Sequence, residues 1–371
     1  MAGKKTMIVG CVAVFGALLQ SGCTRYPTDI GQRNNPLDTG GTVCQYYTVL
    51  GGTGAEGLAC LAPTTDGGCV AAGRTMSYGA GNNDVWLVRV NAAGTPVWEK
   101  TFGTGANDLG LCVRRAADGG FYVLGQSTST HIQAFLIRTN ADGAAQWSRY
   151  YSSTIALFPY WVAVTRDGGA LVCGYGTELG NLNYNGRIIR YAADGNLQWV
   201  RIIGDDVPHG IDTMNGGGFV LSMAGKVASY DDQGQLLWER TTGLPVATRV
   251  FATPDGFVTY SSYHVARHNA IGEVIWSNTA AVYGVKAISS VRPDQGGTFI
   301  LSGASASSIG NPVLCLLGSN GSPLRSLTVV GAGSASDAAR ASSGGCLLGG
   351  VVAGTGGSAD LYLYMTKPNQ P

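Results

Sequence analysis

Four arginines that recur at one place in a repeated pattern are the side chains of this 371-residue chain best suited to bind an acidic ligand. They are Arg89, Arg138, Arg190 and Arg267. A planar guanidinium holds a carboxylate through two parallel N–H···O bonds, so a ring of arginines could bind a carboxylate or an acidic peptide. A repeated position usually reflects repeated packing, however, so the favoured interpretation is a set of ion pairs with Asp or bonds to backbone carbonyls.

The tryptophans divide into two groups. Trp161 lies in the segment Phe158-Pro159-Tyr160-Trp161, outside any repeated register, and is the better candidate for stacking on a ligand, although a place in the core is the favoured interpretation. The others follow a glycine at a spacing of four residues, which predicts that each ring packs between neighbouring repeats. This second group consists of Trp98, Trp147, Trp199, Trp238 and Trp276.

Catalytic and metal-binding patterns are weak in this sequence. His264 and His268 are four residues apart, a spacing that suits a metal on a helix, but they fall in a predicted strand without a third ligand nearby. The chain has no phosphate-binding loop, no nucleophile elbow and no calcium-loop spacing. We therefore expect no catalytic residue, no metal and no cofactor.

The overall charge argues against nucleic-acid binding. Charged residues make up only 13% of the chain, and its formal net charge is +1. Such a protein has no strong field to attract a polyanion. We therefore expect no nucleic-acid partner.

The first residues have the features of a bacterial secretion signal. Lys4 and Lys5 precede an apolar stretch from Met7 to Leu19, which is short for a membrane span. The stretch ends in Leu-Gln-Ser-Gly-Cys, which resembles a lipobox, and this resemblance implies cleavage after residue 22 and lipidation of Cys23. Residues 23–43 are then a flexible tether. An uncleaved anchor helix or a plain secretory signal are the alternatives.

Two marks alternate through the rest of the chain and define seven repeats of 38 to 52 residues. The first mark is a Gly doublet or its equivalent before an apolar run, as in Asp118-Gly119-Gly120, and the second is Gly-x-x-x-Trp. In the second repeat the pattern predicts strands at 111–115, 121–124, 135–139 and from 145 onward. Four short strands joined by hairpins form one propeller blade.

The two ends of the array are complementary. The last repeat lacks a fourth strand, whereas residues 45–50 precede the first repeat and align with the strand that begins at Trp98. The sequence therefore predicts an all-β, seven-bladed β-propeller over residues 44–371, with four-stranded blades. An N-terminal strand closes the ring by completing the blade at 335–365.

The hairpin and tryptophan marks, with the strand Trp86–Asn91, resemble secreted bacterial β-propeller repeat proteins. They are also distantly similar to the tryptophan-docking repeats of quinoprotein-type propellers. A lipid-anchored member of this broader group is the propeller lipoprotein of the outer-membrane barrel assembly machinery. The resemblance implies the fold and a location in the cell envelope.

Seven cysteines follow Cys23, without a CxxC motif. Most replace an apolar residue within a predicted strand, so we expect mostly free, buried thiols. A bond between Cys69 and Cys346, which occupy equal positions in adjacent blades, is conceivable, but we expect these residues to be too far apart. The seven are Cys44, Cys60, Cys69, Cys112, Cys173, Cys315 and Cys346.

These observations favour a lipid-anchored envelope propeller that acts as a binding or assembly scaffold at the outer membrane or cell surface. The expected partner is another envelope protein or a polysaccharide, and the expected state is a monomer. Long inserts at Arg74–Asn83 and Thr177–Asn185 should mark one rim as the contact surface. The alternative is an envelope enzyme (a lyase, a glycosidase or a degenerate quinoprotein) with its site in the central channel.

Overall fold

The computed structural model describes residues 44–129, 131–151, 155–178, 183–243, 249–307, 310–329, 333–353 and 358–368. The predicted signal peptide at 1–22, the tether at 23–43 and the lipid-attachment residue Cys23 lie outside these ranges. Among the described residues, none forms a helix long and apolar enough to cross a membrane.

The described chain forms seven four-stranded antiparallel sheets, which confirms the predicted seven-bladed β-propeller. The first strand of the chain is β1 (Cys44–Leu50). Blades 1 to 3 contain β2 (Glu56–Pro63), β3 (Cys69–Thr75), β4 (Asp84–Val90) and β5 (Pro96–Phe102); β6 (Asp108–Arg115), β7 (Phe121–Thr128), β8 (Ile132–Thr139) and β9 (Ala145–Tyr150); and β10 (Ile155–Val164), β11 (Ala170–Glu178), β12 (Asn185–Tyr191) and β13 (Leu197–Ile202).

Blades 4 to 7 follow in the same order along the chain. They contain β14 (Pro208–Thr213), β15 (Phe219–Met223), β16 (Lys226–Tyr230) and β17 (Leu236–Thr241); β18 (Arg249–Thr253), β19 (Gly256–Tyr260), β20 (His264–Asn269) and β21 (Val274–Thr279); β22 (Val285–Pro293), β23 (Phe299–Ser305), β24 (Pro312–Leu317) and β25 (Pro323–Thr328); and β26 (Ser334–Arg340), β27 (Cys346–Ala353) and β28 (Ala359–Thr366) with β1. Two short 3-10 helices lie at Ala280–Tyr283 and Gln295–Gly297.

The ring closes as the sequence predicts. Strand β1 pairs antiparallel with β28, with Tyr47 opposite Tyr364 and Leu50 opposite Leu361. The blade that ends the chain therefore takes its outermost strand from the beginning of the described chain. Closure of this kind removes the open sheet edge that a linear array of blades would expose.

The Gly-x-x-x-Trp mark has a packing role between blades. A Cβ added to Gly195, which has a φ of +84°, would lie 2.7 Å from the Trp147 ring of the preceding blade. Trp147 Nε1 also donates to the Ala193 carbonyl at 3.0 Å, so ring and turn are joined by contact and by hydrogen bond. The same contact joins Tyr46 to Gly94, Trp98 to Gly143, Trp199 to Gly234, Trp238 to Gly272 and Trp276 to Gly321.

The first strand of each blade lines the central channel, because these strands contact one another around the ring. They all begin at one face, where the loops between second and third strands also lie. We call it the insert face, and it carries the insert at residues 76–83 and Asn183–Tyr184. They end at the opposite face, the hairpin face, which carries the Asp-Gly-Gly turns.

Candidate binding site in the central channel

The four repeated arginines pair with aspartates of their own blades. Arg89 Nη2 lies 2.7 Å from Asp66 Oδ2 in blade 1. In blade 2 Arg138 pairs with Asp118, and its guanidinium holds the pKa of that carboxyl below its ordinary value. The remaining pairs are Arg190 with Asp167 and Arg267 with Asp255. The structure therefore does not bring these arginines together: each joins the third strand of its blade to that blade's first hairpin.

Trp161, by contrast, lies on the wall of the central channel. Its side chain is buried within β10 of blade 3. The guanidinium carbons of Arg114 and Arg249 lie 4.4 Å and 4.0 Å from the centroid of its ring, and Phe251 meets it edge-on at 5.8 Å. Cation–π contacts of this length are favourable, more so where water is displaced.

The strand registers explain how these side chains meet. Two positions of the innermost strand, two residues apart, face the channel in every blade, because side chains of a strand alternate between its faces. The position nearer the insert face, the insert-side ring, holds Cys60, Cys112, Trp161, Gly210, Arg249, Ser290 and Asp337. The position nearer the hairpin face, the hairpin-side ring, holds Ala62, Arg114, Ala163, Asp212, Phe251, Arg292 and Ala339.

Arg114, Arg249 and Arg292 were missed in the sequence, because arginine does not recur at their positions in most blades. The repeat signal selects residues that recur, whereas these three replace the alanines, serine or glycine of other blades. An alignment of the first strands by their Gly-doublet hairpins would have placed Arg114 and Arg292 in one ring. It could not have shown which side chains meet across the axis.

The two carboxylates of the rings are already engaged. Asp337 pairs with Arg292 and accepts a hydrogen bond from the Leu61 backbone N–H at 2.8 Å. Asp212 accepts one from the Ala252 N–H at 2.8 Å, and burial raises the pKa of its carboxyl above the ordinary value. Three guanidiniums thus share the rings with two carboxylates, one of which resists ionisation, so the channel has a positive balance.

Three buried donors in this channel have no acceptor among the described residues. They are Arg114 Nη2, Arg249 Nη1 and the indole Trp161 Nε1. Arg114 Nη1, by contrast, donates to the Val113 carbonyl at 3.2 Å and to the Cys60 sulfur at 3.5 Å. A buried donor without an acceptor is costly, so an oxygen-bearing group placed here would stabilise these three donors.

An aromatic platform lies next to these donors at the insert face. Tyr160 and His209 are the bulge residues directly before the insert-side ring in blades 3 and 4, and their rings are 4.4 Å apart. Tyr175 stacks between Tyr160 and Phe158, with centroid distances of 5.7 Å and 4.8 Å, and the exposed Tyr184 packs 5.6 Å from Tyr175. These five residues are called the aromatic platform below.

Burial shifts the pKa values of two residues of the aromatic platform. It lowers the pKa of His209 below its ordinary value, and the nearby Arg249 contributes in the same direction. It also raises the pKa of Tyr160, with a further contribution from Tyr175. Both rings are therefore neutral at neutral pH, and Arg249 is the positive group beside them.

Two surface cavities lie elsewhere in the described part of the protein. One, of about 410 Å³, opens at the hairpin face above the channel and is lined in part by Pro63, Arg115, Pro293 and the Arg340–Asp294 ion pair. The other, of about 540 Å³, lies between blades 3 and 4 around Trp199. Neither contains the unsatisfied donors of the channel.

The two histidines of blade 5 have separate environments. His268 is buried, its Nε2 lies 2.9 Å from Thr259 Oγ1, and its ring stacks 4.7 Å from Phe257. Burial lowers its pKa to about 4. Within the described ranges, no three His, Cys, Asp or Glu side chains group as a metal site.

The cysteines differ from expectation at one place. Six described cysteines are buried thiols, whereas Cys44 is disulfide-bonded. Cys60 and Cys112 occupy the insert-side ring in adjacent blades, and their sulfurs are 3.7 Å apart. Sequence analysis considered Cys69 and Cys346 as an adjacent-blade pair and overlooked this one.

Comparison with known proteins supports the architecture. No family model and no curated protein match the sequence. The WD40 domain of Pan2 from Neurospora crassa superimposes with a TM-score of 0.59 at 12% identity, over 88% of this chain and 96% of that domain. A protein of unknown function from Bacteroides caccae matches with a TM-score of 0.46 at 16% identity, over 68% of this chain and 92% of the other. The likeness to the Pan2 domain shows the fold alone.

Proposed function

We propose that this protein is a lipid-anchored binding protein of the bacterial cell envelope that holds an acidic saccharide at the insert-face mouth of its channel. One observation supports the ligand class above all. The aromatic platform lies beside Arg249, whose Nη1 is buried without an acceptor. Aromatic faces suit the apolar faces of sugar rings, and a guanidinium suits a carboxylate.

The envelope location rests on the sequence. The lipobox-like ending before Cys23 and the polar stretch that follows are typical of a protein held near a membrane by a lipidated cysteine. The resemblance to envelope propellers has the same implication. Of the two partners expected from sequence, the platform favours a polysaccharide over a protein, and the neutral overall charge favours neither nucleic acid nor self-association.

Binding can be tested with an oligogalacturonate as the acidic probe and its methyl ester as the neutral one, titrated into the full-length protein by calorimetry. We expect the acid to bind at least tenfold more tightly than the ester. Arg249→Gln should remove that preference, and Tyr175→Ala should weaken both probes.

The control is Arg115→Gln, which removes a guanidinium from the opposite mouth of the channel. It should leave binding of both probes unchanged. Equal loss in the Arg249 and Arg115 variants would contradict the proposed mouth. For the anchor, a Cys23→Ala protein should leave the membrane fraction, and continued membrane association would count against lipidation.

One arrangement favours the enzymatic alternative, specifically a lyase. Tyr160 and His209 are neighbours, and Arg249 is close enough to influence the pKa of both. In a β-elimination, neutral His209 would remove the proton α to a uronate carboxylate that Arg249 neutralises. The C–O bond at the β-carbon would break, and the Tyr160 hydroxyl would protonate the leaving oxygen. Ultraviolet absorbance from an unsaturated uronate, lost in His209→Ala, distinguishes turnover from binding.

A further inference from the structure

Two thiols of the insert-side ring are in direct contact with each other. Cys60 of β2 and Cys112 of β6 each follow the bulge of their innermost strand and occupy the same register position. Their sulfur atoms are 3.7 Å apart, and both side chains are fully buried. A disulfide S–S bond is about 2.05 Å long, so closure needs a relative movement of only about 1.6 Å.

The surroundings of Cys60 favour its thiolate. Arg114 Nη1 lies 3.5 Å and Arg292 Nη2 3.6 Å from its sulfur. The hydrogen bond from Cys112, with help from these guanidiniums, lowers the pKa of Cys60 below its ordinary value despite its burial. The pKa of Cys112 is raised, by burial above all. The pair thus combines one nucleophilic sulfur with one protonated neighbour, the arrangement that reactive dithiols require.

The other thiols lack these features. Burial raises the pKa of Cys69 and Cys315 to about 12, and that of Cys173 is raised as well. A buried thiol of that kind is inert, since the thiolate is the nucleophile. These three cysteines therefore serve as internal controls in the same chain.

A cavity at the hairpin face borders the two strands that carry the pair. The hairpin-face cavity of about 410 Å³ is lined by Pro63 and Arg115, which lie three residues beyond Cys60 and Cys112 on the same strands. A hydroperoxide is hardly larger than water and carries no charge. It can reach positions from which protein oxidants are excluded.

We propose that Cys60 and Cys112 form a redox modification site, which a small hydroperoxide converts to a reversible disulfide that joins blades 1 and 2 across the channel wall. The Cys60 thiolate attacks one peroxide oxygen, the O–O bond breaks, and Cys60 becomes a sulfenic acid. The released hydroxide takes the Cys112 proton and becomes water.

The second step closes the bond. The Cys112 thiolate attacks the Cys60 sulfur, the S–O bond breaks, and the departing hydroxide takes a proton from solvent. The net reaction consumes two thiols and one hydrogen peroxide and produces one disulfide and two waters. The neighbouring thiol intercepts the sulfenic acid before a second peroxide can oxidise it further, and a dithiol reductant restores the pair.

The experiment treats full-length protein with a few equivalents of hydrogen peroxide, then alkylates it in denaturant and maps the peptides by mass spectrometry. We expect a linked peptide pair containing Cys60 and Cys112, lighter by two hydrogens than its parts and lost after dithiothreitol. Cys69, Cys173 and Cys315 should remain fully alkylated. Complete alkylation of Cys60 and Cys112 after treatment would overturn the proposal.

Single variants test the assigned roles of the two sulfurs. Cys112→Ser should leave Cys60 to accumulate as a sulfenic acid that dimedone traps, whereas Cys60→Ser should leave Cys112 unoxidised. Cys69→Ser is the matched control and should form the Cys60–Cys112 bond at the wild-type rate. If a variant does not fold, peptide mapping of the wild type still decides, because cross-linking at other cysteines or none would exclude the assigned pair.

Discussion

The outer wall of the propeller and the wall of its channel are built on opposite rules. At the outer wall one contact is reused: an aromatic ring of one blade covers a glycine of the next, as Trp147 covers Gly195. At the channel wall the equivalent positions differ from blade to blade, as with Cys60, Trp161 and Arg249. Repetition therefore marks what holds the ring together, and departure from repetition marks where chemistry is concentrated.

The ion pairs show the same division. At the hairpin face, Arg89 and Asp66 pair within one blade, as arginines do in three other blades, with side chains 21% and 45% exposed. At the channel wall, Arg292 and Asp337 pair between blades 6 and 7, with side chains 11% and 5% exposed. Water screens the first pair, so its loss matters little, whereas loss of one partner of the second leaves a buried charge.

The largest expected effect comes from breaking the channel pair. Arg292→Gln leaves the Asp337 carboxylate buried without its counter-charge, so the free energy of unfolding should fall by about 3–5 kcal/mol. Arg89→Gln, which removes the repeated pair at the hairpin face, should cost less than about 1 kcal/mol. Urea denaturation of both variants measures the difference. Equal losses would mean that the channel is far better hydrated than its geometry indicates.

The next effect concerns the contact that repeats at the outer wall. Gly195→Ala places a methyl group against Trp147 and also strains a backbone with φ of +84°, so it should cost about 3 kcal/mol. Gly204→Ala is the matched control, because Gly204 has φ of +73° but nothing within 4 Å of an added Cβ. The Gly204→Ala substitution should lower the free energy of unfolding by about 1 kcal/mol, which is the strain of an L-residue at positive φ alone. If the denaturation curves of the Gly195→Ala and Gly204→Ala variants coincide, the contact between ring and glycine does not stabilise the packing of the blades.

The smallest effect is a pH dependence at a buried third-strand position where blade 5 departs from the repeated pattern. His268 stands where blades 3 and 4 have Tyr191 and Tyr230. Its pKa is about 4 when folded, against an ordinary value near 6.5. The unfolded chain therefore binds the proton more readily, and stability should be lost as the pH falls from about 6.5 towards 4.

The variant His268→Tyr restores the residue of the neighbouring blades and removes this titration. The difference in unfolding free energy between wild type and variant should change by about 2 kcal/mol between pH 7 and pH 4.5. Chemical denaturation at a series of pH values checks it. A difference that stays constant across that range would show that His268 is solvated or already protonated.

Sequence reasoning was reliable wherever a feature is local and repeated. The Asp118-Gly119-Gly120 turn was predictable because only a residue tolerant of positive φ fits there, and Gly119 has φ of +87°. Complementary ends predicted the pairing of β1 with β28. The same repetition favoured ion pairs with Asp over a ligand-binding ring for the four repeated arginines, and the structure contains these ion pairs.

The sequence by itself determined the number of blades, their strand order and the closure, because turn chemistry and alternating burial act over a few residues and recur seven times. Only the tertiary structure decided the composition of the channel. Cys60 meets Cys112 from 52 positions away and Arg292 from 232 positions away. Such neighbours are set by strand register and by the curvature that closes the ring, and no local pattern records which unrepeated side chains then share one axis.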